Sequence, residues 1–206
     1  MKKGRVLIII GCVLVAAGIL LTAFNLYTDY RAGKAAANVL ERVRSRIKEP
    51  VPYEGRTVSE DGLDIEYPDY KVDPNIELPV ESEDGFNYIG VLAIPSLGIE
   101  LPVFDEWNYA NLKIAPCRFE GTPYKDKFII CAHNYDRHFG QIKNLRYGDE
   151  ISFTDMDGNI FTYEVSEIEV LEPTAQEQMR EGEWDMTLFT CTLGGASRVT
   201  VRCTRK

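Results

Sequence analysis

The sequence predicts a mainly β domain, closed into a barrel, carried on a single membrane-spanning helix. Three observations lead to it. An apolar run broken by no charge extends from Val6 to about Tyr27, directly behind Lys2, Lys3 and Arg5. From Asp84 onward, short runs rich in Ile, Val, Phe and Thr are punctuated at Gly85, Pro95, Gly98, Pro102, Gly121, Gly148 and Gly158, the spacing of an all-β barrel. Two hairpin signals, Asp157-Gly158 and Gly194-Gly195, lie between such runs, and both dipeptides suit tight turns.

In chain order, residues 1–5 form a basic tail and residues 6–27 the membrane helix, since about twenty apolar residues at 1.5 Å each span a hydrocarbon core. A cleaved leader has a shorter apolar region with small residues right after it, whereas Ala35-Ala36-Ala37 follows only after Asp29, Arg31 and Lys34. The basic end should stay in the cytoplasm, leaving a single-pass protein with an extracellular carboxyl-terminal domain. Residues 28–83 read as a helical stalk, Ala32 to about Ile47, stopped by Pro50 and Pro52 and followed by an acidic, proline-containing spacer. Residues 84–206 form the β domain, with short helices expected at Asn108–Leu112 and Thr174–Arg180. The formal charge of -9 argues against nucleic acid as a partner. The sequence holds no repeat, no phosphate-cradling loop and no metal motif.

The chemistry-bearing stretch is Thr187-Leu188-Phe189-Thr190-Cys191, a turn, and a return strand opening on Arg198. With Gly194 and Gly195 as the central pair of a two-residue turn, Thr192 faces Ser197 and Cys191 lies opposite Arg198, their Cβ atoms about 5 Å apart. A thiol beside a permanent cation can be drawn toward thiolate, and the cation can neutralise an oxyanion. The sequence has two histidines. His133 ends the apolar run Phe128-Ile129-Ile130-Cys131-Ala132, a buried strand, and is the better acid/base candidate; His138 falls in a polar loop. Cys117, Cys131 and Cys203 read as buried apolar residues, with Cys131 on the same strand face as His133.

Together these residues resemble the sortases, membrane-anchored cysteine transpeptidases of Gram-positive bacteria. The likeness begins at Ile89-Gly90-Val91-Leu92-Ala93-Ile94-Pro95, continues through Leu101-Pro102-Val103, Gly121-Thr122 and His133-Asn134, and ends in the Thr187–Cys191 string with Arg198. It implies an eight-stranded barrel in which Cys191 is the nucleophile, His133 the general acid/base, Arg198 the substrate and oxyanion contact and Thr190 a further substrate contact. The implied reaction cleaves a Thr-Gly bond in the sorting signal of a secreted protein and passes the acyl group to an amine of a cell-wall precursor. Ala132 stands where many members have glycine. The chain shows no aromatic lid motif before the barrel and no second apolar helix after it, which points to an anchoring rather than a pilin-polymerising member. Some members bind calcium, for which Glu177, Glu181 and Glu183 are the available acids; a solvated loop is the simpler reading, and no cofactor is expected. The alternatives are a surface cysteine hydrolase without transfer and an inactive anchored binding module. The second would be marked by loss of Cys, His or Arg, and all three are present.

Overall fold

The structure, a computed structural model, describes residues 2–49 and 68–206. After helices α1 (Lys2–Arg44) and α2 (Asp69–Val72) come strands β1 (Glu81–Glu83), β2 (Phe86–Ile94) and β3 (Ile99–Phe104), then helix α3 (Tyr109–Leu112) and strands β4 (Cys117–Thr122) and β5 (Lys127–Cys131). Strands β6 (Glu150–Asp155) and β7 (Ile160–Leu171) precede helix α4 (Gln176–Arg180), and β8 (Met186–Cys191) and β9 (Arg198–Arg205) complete the chain. The strand order β2-β3-β4-β5-β8-β9-β7-β6 returns from β6 to β2 through the pairs Gly90↔Asp155 to Ala93↔Ser152. Eight strands therefore close a barrel, and β1 adds outside the ring on β2. Closure removes the free edges that an open sheet would leave unpaired.

Alternation along β6 sends Ile151 and Phe153 inward, where they meet Leu92, Ile130, Phe161, Leu188 and Val201 in the interior core. A second apolar layer covers the outside of the wall: Tyr88, Val91, Phe104, Cys117 and Cys131 pack with Val43, Val39 and Leu40 of α1. Strands β2 and β5 thus read as nearly unbroken apolar runs because both of their faces are covered.

The expected membrane helix and the expected stalk are one element. Between Tyr27 and Arg44 the chain contains no proline, so nothing interrupts the ladder until the turn that precedes Pro50. Nor does its second half stand free. Ala32, Ala36 and Val43 are almost wholly buried against the barrel. The pairs Arg42–Asp84 (2.5 Å), Arg44–Glu100, Arg46–Glu83 and Lys48–Asp157 (2.6 Å) surround its end. Such exposed pairs contribute little individually, so apolar burial supplies the adhesion and the charges fix the orientation. Part of the expected spacer packs on the barrel: β1, the core residue Leu78 and Tyr70, stacked 4.7 Å from Tyr124, all fall within it. The rest of the spacer, residues 50–67, lies outside the described residues. The first half of α1 has a face of exposed Ile, Leu and Val and is long and apolar enough to cross a membrane.

Where α1 meets the barrel it covers the loop that follows β5. Arg137 donates its backbone N–H to Asp29 (3.4 Å) and lays its aliphatic carbons over Gly33. Beneath this contact His138, expected in an open polar loop, is fully buried. Burial pushes its imidazole down to about 4, a shift only partly offset by the nearby backbone of Ala32 and Ile114; neither ring nitrogen has a well-formed hydrogen bond. Since the folded value lies below the unfolded one, the unfolded chain takes up a proton that the folded chain refuses between pH 6.5 and about 4. Stability is unaffected by this group above pH 6.5 and falls as pH drops through that window, by up to ~3 kcal/mol. Melting curves at pH 7 and pH 5 should therefore show a smaller loss in His138→Phe than in the wild type, by ~2 kcal/mol. Equal losses would mean that His138 is not held neutral.

Candidate active site

The site is built from the ends of three adjacent strands. β5 and β8 run parallel and in register, from Phe128↔Met186 to Cys131↔Phe189, and Ala132 still donates its N–H to the Phe189 carbonyl (3.2 Å). Carried two residues further, the same offset brings His133 level with Cys191 on strands about 4.8 Å apart. On the other side β8 and β9 are antiparallel, with Cys191 directly opposite Arg198. His133, Cys191 and Arg198 thus form one lateral row across β5, β8 and β9, and all three are half-buried.

The Cys191–Arg198 register matches the sequence reading, but the turn that sets it differs. The two glycines are not the central pair. Gly195 donates to the Thr192 carbonyl (2.8 Å), which makes Leu193 and Gly194 the central residues, with Gly194 at φ 81° and ψ -4°. This is the conformation required at the third position of a type II turn, where glycine is favoured. Thr192 still pairs with Ser197 through N–H to carbonyl (2.9 Å), and the Ser197 N–H returns to the Thr192 hydroxyl (3.0 Å). A longer loop keeps the same register because these bonds close it. Arg198 Nη1 donates to the Gly195 and Ser197 carbonyls, both at 3.1 Å. Among the described residues its Nε and Nη2 have no hydrogen-bond acceptor, so the guanidinium is held by one nitrogen and free to donate from the others.

Thr190, expected to touch substrate, is buried, and its hydroxyl donates to the Ala132 carbonyl (2.8 Å). Successive strand residues face opposite ways, so the neighbour of Cys191 points into the wall. The side chain is a tether between β8 and the residue before His133.

His133 stacks on Tyr135, ring centroids 4.9 Å apart and planes 44° apart. No carboxylate or amide among the described residues hydrogen-bonds its ring. Its pKa is lowered, first by desolvation and then by the Lys113 ammonium, which favours the neutral imidazole. Cys117, Cys131 and Cys203 are buried free thiols, as expected. Desolvation pushes Cys117 and Cys203 up to about 12 and raises Cys131 as well. They remain protonated at neutral pH, whereas Cys191 is the partly exposed thiol of the barrel.

Along the outer face of β8, Phe189 lies two residues before Cys191. It meets Phe119 edge-on at 5.2 Å, and Phe119 in turn contacts Trp107 at 5.9 Å. Period-two alternation could have placed Phe189 beside Cys191, but nothing in the sequence pairs it with Phe119 or Trp107, which are brought there by β4 and the loop before α3. A shallow recess lined by Met179, Trp184 and Thr187 continues the same face under α4. Glu177, Glu181 and Glu183 are exposed, and among the described residues no group of three or more His, Cys, Asp or Glu gathers as metal ligands.

Comparison with known proteins gives the family. A family model for the sortase domain matches residues 92–206. Over 198 residues, 93% of this chain and 89% of the relative, the sequence is 27% identical to Sortase A of Bacillus anthracis. It is 28% identical to Sortase A of Listeria monocytogenes over 109 residues, 50% of this chain and 49% of that protein. Among solved structures, sortase C1 from Streptococcus agalactiae is similar with a TM-score of 0.54 and 26% identity, over 61% of this chain and 70% of that one. The Sortase D5 transpeptidase of Clostridium perfringens shares the fold at a TM-score of 0.58 and 22% identity, over 84% of this chain and 99% of that one. Because the matched domain runs from within β2 to the end of the chain and takes in every strand that forms the thiol, imidazole and guanidinium row, this chain belongs to the sortase family of cysteine transpeptidases.

Proposed function

We propose that the protein is an anchoring sortase that cleaves a Thr-Gly bond in the sorting signals of secreted proteins and transfers the acyl group to an amine of a cell-wall precursor. The observation that carries this reading is the lateral row of His133, Cys191 and Arg198. Cys191 is the nucleophile, His133 the general acid/base and Arg198 the donor to the carbonyl oxygen. His133 takes the Cys191 thiol proton as the sulfur attacks the threonine carbonyl, and the oxyanion of the tetrahedral intermediate is neutralised by the Arg198 donors that the loop leaves free. As the intermediate collapses, the carbon–nitrogen bond breaks, the thioester remains and His133 delivers its proton to the departing glycine amine. In the second half the acceptor amine attacks the thioester, His133 takes up a proton from it, and the carbon–sulfur bond breaks to release Cys191. Water in place of the amine gives hydrolysis.

The outer face of β8 supports an extended peptide as substrate: the recess at Thr187, the Phe119–Phe189 pair and Cys191 follow one another along it. The basic residues ahead of the apolar half of α1 support a cytoplasmic amino terminus and an extracellular barrel.

Incubating the full chain in detergent with sorting-type peptides and trapping the acyl-enzyme at low pH should yield a thioester on Cys191. Transfer should be lost in Cys191→Ala and His133→Ala and retained in Cys131→Ala. Label on Cys131, or transfer by Cys191→Ala, would overturn the assignment. A separate expectation concerns geometry at the cation. Arg198→Lys preserves charge but loses the planar fork, so turnover should fall about 10- to 1000-fold, at about 1.4 kcal/mol per factor of ten, with little change in melting. Full activity in that variant would remove directional donation from the mechanism.

A further inference from the structure

A Cys–His pair requires an imidazole held in one orientation, usually by a hydrogen bond from a third group. The described residues offer His133 no such bond. What touches its ring is Tyr135, and Tyr135 in turn meets His138 edge-on, centroids 5.4 Å apart at 65°. His138 is fully buried beneath α1, near the backbone of Ala32 and Ile114, and neither ring nitrogen has a well-formed hydrogen bond. Held this loosely by polar contacts, the ring acts here chiefly through its shape. The backbone closes the same unit: Phe139 donates to the His133 carbonyl (3.1 Å), and His138 and Gly140 both donate to the Tyr135 carbonyl (2.9 and 2.8 Å). The outer end of the loop is fastened by Asp29 and Arg137.

We propose that Tyr135 and His138 are positioning residues for the transpeptidation, forming with His133 a column of three rings, seated on α1, that orients the acid/base imidazole by packing. The inference rests on the reading of His133 as the acid/base. Neither Tyr135 nor His138 reaches the reacting atoms; they act through His133. The charged groups around the column are Lys113 beside His133 and Asp29 on the α1 side of His138, with Arg137 turned onto Asp29. Removing the Tyr135 ring exposes His133 to water and lets it rotate. A displacement of about 1 Å in a reacting group costs up to about 100-fold in rate.

The chain contains only two histidines, so proton NMR of the untagged full chain in detergent resolves both imidazole titrations. Kinetics with a fluorogenic sorting-type peptide that the wild type cleaves complete the test. Tyr135→Leu should lower kcat about 10- to 100-fold with KM changed less than about threefold, and the His133 titration should move up toward the value of a solvated imidazole. Tyr135→Phe and His138→Phe keep the rings and should stay within about threefold of wild type with the His133 titration unmoved. Tyr135→Met is read in parallel, so that misfolding of the Leu variant leaves a bulk-preserving one to decide. If His133→Gln is inactive while Tyr135→Leu and Tyr135→Met retain wild-type kcat and His133 titration, the column is refuted and the acid/base reading survives. Activity in His133→Gln would instead remove the acid/base reading itself, and the column with it.

Discussion

The parallel, in-register pairing of β5 with β8 is the constraint on which the site depends. A parallel pair cannot be closed by a short hairpin, and here β6, β7 and α4 all lie between the two strands in sequence. The register must therefore be held by the wall itself. Three bonds do this at the critical end: the ladder through Cys131↔Phe189, the Ala132 N–H to the Phe189 carbonyl, and the Thr190 hydroxyl to the Ala132 carbonyl. A slip of one residue would turn Cys191 into the core and bring Thr190 to the outer face. The buried Thr190 hydroxyl and the outward-facing Cys191 thiol are thus two sides of the same alignment.

The second organising feature is the outer apolar layer. Tyr88, Val91, Phe104, Cys117 and Cys131 point away from the barrel interior, and α1 helps to cover this layer over β2 and β3. The helix approaches closely at Ala32 and Ala36 and then contributes Val43. Because α1 is continuous from its apolar half into this contact, no joint separates the segment suited to a bilayer from the segment packed beneath His138. The loop bearing His133 is consequently supported from two directions, by β5 and by α1.

Burial also sorts the thiols. Cys117, Cys131 and Cys203 are apolar packing whose ionisation is opposed by desolvation. Cys191 is instead partly exposed at the end of its strand, where the loop carbonyls hold a guanidinium across from it by a single nitrogen. The same principle keeps His133 near neutrality: partial desolvation and Lys113 both favour the uncharged imidazole, the form able to accept a proton. The chemistry follows from where strands stop, since side chains further along each strand are enclosed.

Much of this was readable locally. Turn chemistry around Gly194-Gly195 gave the Cys191–Arg198 pairing even though the turn itself is longer, because inner pairs at Thr192 and Ser197 preserve the count. The apolar run to Tyr27, the strand into His133 and the Asp157-Gly158 hairpin are likewise short-range patterns that composition and periodicity specify. What the tertiary structure decided is everything that depends on partners distant in sequence. The Thr190 hydroxyl meets the carbonyl of Ala132 just beyond β5; the segment read as a stalk packs on the outside of the barrel wall; Phe119 and Trp107 meet Phe189 beside the thiol; and His138, surrounded by polar neighbours in sequence, lies under α1 with Tyr135 in contact with both it and His133. A sequence pattern records which residues prefer burial and where the chain turns. It does not record which surface arrives to bury them, because that contact forms only when separate elements close on one another.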